Sequence, residues 1–136
     1  MKISKEYPPN YKIISETFKL HKGIIFTYGD TIYNPDNGNI DKPLMEHEKI
    51  HSKQQGNEVD KWWIRYLADS DFRLSQELEA YQRQYRVAKE ILSKGKLFNL
   101  LRFISNDLSG EMYGNIISFQ EAMEAIKSNN KLSFNI

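Results

Sequence analysis

Two histidines four residues apart, with a glutamate after the first, constrain this chain more than any other feature: His47-Glu48-Lys49-Ile50-His51. On an α-helix, residues i and i+4 stand one above the other on the same face. The polarity of residues 43–55 says which face that is. Stepping 100° per residue from His47, Glu46, Lys49 and Lys53 fall at roughly 200–260°, whereas Leu44, His51 and Gln55 fall at roughly 40–80°. Both imidazoles therefore turn away from the solvated side, and buried imidazoles need partners. One metal ion would satisfy both rings, and the Glu48 carboxylate could then take a proton from water beside that ion. The other reading leaves the rings as ordinary polar groups of a core. The metal reading makes a demand on the fold: another element must cover this helix and bring a third ligand.

Composition narrows the choices for that ligand. The chain has 136 residues, three histidines and no cysteine. Thiolate ligation, a disulfide scaffold and a cysteine nucleophile are thereby excluded, and a tightly held zinc must use nitrogen and oxygen. Nineteen basic residues against 18 acidic ones give a net charge of +1, which offers no case for nucleic acid or an anionic membrane surface. The N-terminal residues carry no apolar run, and no stretch is long and apolar enough to read as a signal or a membrane span. The expectation is one domain over residues 1–136, in the cytoplasm.

Periodicity predicts an α+β chain that is mainly helical. Pro8-Pro9 stops any early element, and a short helix is read over residues 11–20. Residues 24–28 and 31–33 are β-branched and aromatic, with Gly29-Asp30 between them. This predicts an antiparallel hairpin with glycine in the first central position of its turn. Pro43 suits the first turn of the helix over residues 43–55, and Gly56 its stop. The aromatic cluster Trp62-Trp63-Ile64-Arg65-Tyr66-Leu67 reads as core in preference to a substrate platform. Ser70 or Asp71 is the expected cap of a long helix over residues 72–94 that stops at Gly95. A further apolar helix covers residues 97–104 and a loop residues 106–117. Ser118-Phe119-Gln120-Glu121 is a capping box for a last helix reaching residue 127, with a loose tail over residues 128–136.

The long helix offers Glu77 and Glu79 as the missing ligand. With Glu77 as zero, the stripe of Leu74, Leu78 and Tyr81 centres near 50° and Glu79 lies near 200°. Glu77 thus shares the buried face, and a carboxylate there must be paired, protonated or metal-bound. A helix-edge salt bridge is its plain alternative. His21 reads as a surface histidine near the start of a strand.

Together, His47-Glu48-x-x-His51 and Glu77-x-x-Ala80-Tyr81 resemble the gluzincin metallopeptidases. More closely, the chain is similar to small zincin-like peptidases of phage and bacterial genomes. The segments that carry this are Tyr28-Gly29-Asp30-x-Ile32-Tyr33-x-Pro35, Gln54-Gln55, and Trp62-Trp63-x-x-Tyr66-Leu67-x-Asp69-x-x-Phe72-Arg73, all within residues 23–85. The resemblance implies one Zn²⁺ per chain on His47, His51 and Glu77, Glu48 as general base, and a peptide or protein substrate. The hairpin would supply the edge strand of a small sheet over the active-site helix, and substrate would add to it in extended form. An oxyanion donor is expected from Tyr113, Tyr81 or Tyr66. Tyr81 stands where the larger gluzincins have an aspartate that steadies a zinc histidine. The alternative keeps the fold and the metal for binding a partner, without efficient proteolysis.

Overall fold

In the computed structural model, which describes residues 1–129, the hairpin and the histidine helix meet as the first packed unit. Strand β2 (Phe26–Tyr28) turns through Gly29-Asp30 into β3 (Thr31–Tyr33), pairing Tyr28 with Thr31 and Phe26 with Tyr33. Gly29 has φ +64°, the left-handed conformation this two-residue turn requires of its first residue. A third strand, β1 (Lys2–Ser4), runs parallel to β3 on its other side, giving the order β1-β3-β2. The sheet is therefore mixed, where sequence led to an antiparallel hairpin alone. Helix α1 (Tyr11–Thr17) links β1 to β2 and buries Ile14.

The α+β class stands, with helices making up most of the chain. Helix α2 (Lys42–Gln55) carries the two histidines; the Asp41 side chain caps it by accepting from the Leu44 N–H at 2.9 Å, and Pro43 occupies its first turn. Helix α3 (Val59–Ala68) holds the aromatic cluster. Helix α4 (Ser70–Ile91) is capped by Asp69, whose Oδ1 accepts from Phe72 N–H at 3.1 Å, one residue ahead of the predicted caps. It also stops short of Gly95. Leu92 goes extended, and Ser93 caps α5 (Lys94–Leu108), so Gly95 lies in the first turn of that next helix. A 3-10 turn, η1 (Glu111–Tyr113), and α6 (Phe119–Lys127) complete the described chain, α6 opening on the predicted Ser118–Glu121 capping box. Of the tail read as loose, residues 130–136 lie outside the described residues.

Two apolar clusters flank the long helix. Leu74 and Leu78 of α4 pack with Leu101, Ile104 and Leu108 of α5 and with Ile126 of α6. On the other side Trp62, Trp63 and Tyr66 of α3 close over Ile14 and Phe26. The tryptophans are under a tenth exposed, so the aromatic cluster is core, as expected. Helix α2 packs along α4, at the seam between the clusters. Buried Arg73 fastens that seam, donating to the carbonyls of Met112 at 2.7 Å and Tyr66 at 2.6 Å.

Candidate metal centre

The amphipathic pattern of α2 does what the wheel requires: His47, Glu48 and His51 are each 5 % exposed. Glu77 on α4 is 7 % exposed and Glu79 faces solvent. Packing α2 on α4 brings three ligand atoms to one point. Glu77 Oε1 lies 3.0 Å from both His47 Nε2 and His51 Nε2, and the two nitrogens are 3.1 Å apart. A proton can serve two atoms of such a triangle, whereas a cation can serve all three. Tetrahedral zinc with bonds of about 2.0–2.1 Å separates its nitrogen and oxygen donors by about 3.3 Å. The triangle fits that demand to within a few tenths of an ångström. Among the described residues this is the group of histidines and carboxylates able to hold a metal ion.

Electrostatics follow from the crowding. Burial pushes the Glu77 carboxyl up, but His51 and His47 beside it prevail and hold it well below its ordinary 4.5. Burial pulls the His51 imidazole down, and Glu77 outweighs it, carrying the ring to about 9. Glu77 is thereby favoured as a carboxylate, an anionic ligand suited to zinc.

Neighbouring side chains set the geometry of the ligands. Gln54 Nε2 donates to the Gln76 carbonyl at 3.0 Å and to Glu79 at 2.8 Å, so its Oε1 is left to accept from His51 Nδ1 at 2.9 Å. With its hydrogen on Nδ1, His51 turns the Nε2 lone pair into the site when neutral. Tyr66 donates to Glu77 Oε2 at 2.5 Å, leaving Oε1 for the triangle. His47 Nδ1 is buried without a protein partner. Tyr81, which the sequence offers in place of an aspartate, packs its ring edge-on to His47 at 4.7 Å and donates its hydroxyl to Asp107 instead.

Glu48 sits beside the triangle, its Oε2 3.5 Å from His47 Nε2. Its other oxygen accepts from the Thr27 hydroxyl at 3.0 Å, a buried contact from β2 to α2. The next turn of α2 fastens the same strand. Gln55 donates to the Thr27 carbonyl at 2.8 Å and accepts from the Gly29 N–H at 2.7 Å, while Ser52 donates to the Gly29 carbonyl at 2.7 Å. The Gln55 amide thus pairs with β2 as the backbone of another strand would. Trp63 Nε1 also donates to the Thr27 carbonyl, at 3.1 Å. The hairpin does put an edge strand against α2, but main-chain pairing of a ligand at that carbonyl would have to displace both donors.

The three tyrosines considered as oxyanion donors all line the cavity over the triangle, and two of them are already engaged. Tyr81 is held by Asp107 and Tyr66 by Glu77, while Tyr113 is buried near them. Burial, first among the causes, pushes all three phenols well above their ordinary 10, so they remain protonated. His21, exposed as expected, lies on the lining of the same cavity.

Thr27 and Asp107 escaped the sequence reading, Gln54 entered it only through resemblance, and Gln55 entered it as an inward position of the helix with no partner assigned. A threonine in a strand and an amide at a helix end are typical of those elements; the partners of Thr27 and Gln55 lie 21 to 28 residues away, while Gln54 meets His51 three residues back on its own helix. Asp107 left a faint signal, as a carboxylate next to an apolar helix. Comparison with protein-family models, curated proteins and solved structures finds no match.

Proposed function

We propose that this chain is a zinc-dependent peptidase, and the convergence of His47 Nε2, His51 Nε2 and Glu77 Oε1 within 3.0–3.1 Å carries that reading. These three would hold the ion. Bound there, zinc would polarise a carbonyl and bring the pKa of a coordinated water toward neutrality. Glu48 is the general base: its carboxylate lies beside the triangle without being a member of it, and it hands the proton on to the leaving amine. Thr27 fixes the direction of Glu48 by donating to the oxygen farther from His47. Gln54 keeps His51 in the tautomer that presents Nε2, and Tyr66 restrains Glu77 to one free oxygen. Buried Trp62, packed 5.5 Å from the His51 ring, keeps water off the back of the site.

A cavity of about 440 Å³ opens over these groups, within the range of small-ligand and substrate sites. Glu48→Gln tests the reading. Digestion of a peptide library should require zinc and stop with a chelator, and the variant should lose about a hundredfold or more of the rate while still binding one zinc per chain. Full activity in the variant removes Glu48 from the chemistry, and a wild-type chain that binds no zinc removes the reading altogether.

A further inference from the structure

The lining of the cavity carries a charge pattern of its own. Four carboxylates reach it, from Asp41, Glu48, Glu77 and Asp107, and among its described lining residues there is no lysine or arginine. The remaining surface is largely apolar. Leu20, Ile24 and Ile25 come from the segment ahead of β2, and Leu100 and Phe103 from α5. Phe103 is 72 % exposed, the most exposed of the large apolar side chains described. Water gains nothing from a phenyl ring held there, whereas an apolar ligand side chain laid against it removes both surfaces from solvent. The lining also includes Gln84, 7 % exposed, whose buried Oε1 has no protein partner. An acceptor of that kind suits an N–H, and a peptide brings one with every residue.

We propose that the substrate is a peptide cut away from its C-terminus with a bulky apolar side chain next to the scissile bond, and that Phe103 selects for it. This rests on the peptidase reading and adds the substrate class. Away from the metal, a carboxylate, whether an acidic side chain or the C-terminal end of the peptide, would leave water for a lining that offers carboxylates and no lysine or arginine to anchor it. Cleavage is therefore away from the substrate's C-terminus and disfavoured beside aspartate or glutamate. Phe103 is a specificity residue, with no part in proton transfer.

Two C-terminally amidated peptide hydroxamates test this, identical except for Phe or Asp next to the hydroxamate, titrated calorimetrically into the zinc-loaded full chain. The Phe probe should bind about tenfold or more tightly than the Asp probe. Phe103→Lys, whose exposure leaves the fold undisturbed, should shrink that ratio by about tenfold at unchanged zinc content and unchanged circular dichroism. Equal affinities, a tighter Asp probe, or a ratio untouched by Phe103→Lys would overturn the proposal. If neither probe binds, the metal is not presented to the cavity, and this proposal and the peptidase reading fall together. If the preference holds but the matching peptide is never cut, the substrate class stands as a binding specificity and the peptidase reading alone falls.

Discussion

Thr27 donates its hydroxyl hydrogen to Glu48 Oε1 at 3.0 Å, joining a strand residue 3 % exposed to a helix residue 5 % exposed. A hydrogen bond to an ionised group is worth about 1.5–3 kcal/mol, or roughly ten- to a hundredfold if felt fully in a transition state. Thr27→Val keeps the shape and removes the donor. The expected outcome is a kcat lower by about tenfold or more with little change in KM or zinc content, and recovery of most of it in Thr27→Ser. Steady-state kinetics with equal kcat for Val and Ser would show that Thr27 does not orient Glu48.

Gln54 and Tyr66 act on the ligands and not on the base. Gln54→Leu removes the acceptor from His51 Nδ1–H, and Tyr66→Phe removes the donor to Glu77 Oε2. Loss of such supporting contacts weakens metal affinity by about 10- to 100-fold. Competition against a chromophoric chelator measures this directly. Wild-type affinity in both variants would mean that the ligands need no such support.

Asp107 predicts a pH dependence of stability that can be measured without added metal. Burial raises its carboxyl above the ordinary 3.8; the Tyr81 hydroxyl lowers it and the negative charge of Glu77 raises it further. A group whose folded pKa exceeds its unfolded one contributes stability that is complete below the unfolded value and is lost as pH rises through the folded value. The stability of the natural chain relative to Asp107→Asn should therefore be greatest below pH 3.8 and decline as the pH is raised above it. Urea unfolding of both chains across that range measures the difference, and a constant difference would refute burial as the dominant influence on Asp107.

The site's ligands were legible because each lies on a long amphipathic helix, where one angle per residue decides inside from outside. Glu77 and Glu79, two residues apart, part company for that reason alone. The hairpin was legible from Gly29-Asp30 between β-branched runs. Strand β1 was not, since its three residues Lys2–Ser4 acquire strand character by pairing with residues 31–33, far along the chain. Gly95 misled as a helix stop because Ser93, with a side chain able to accept from Lys96 N–H, had already opened the next helix. Thr27 and Asp107 share that difficulty: their importance lies in a partner on another element, and one-dimensional periodicity carries no record of it.

The pairing of Gln55 with β2 bears on how copies of this chain behave when crowded together. A bare strand edge invites another molecule to zip onto it and templates insoluble aggregates. At the middle of β2 the outward carbonyl, that of Thr27, is already claimed by Gln55 and Trp63, and the neighbouring Gly29 amide by Gln55. The helix that bears the histidines thereby shields the hairpin from self-templating growth.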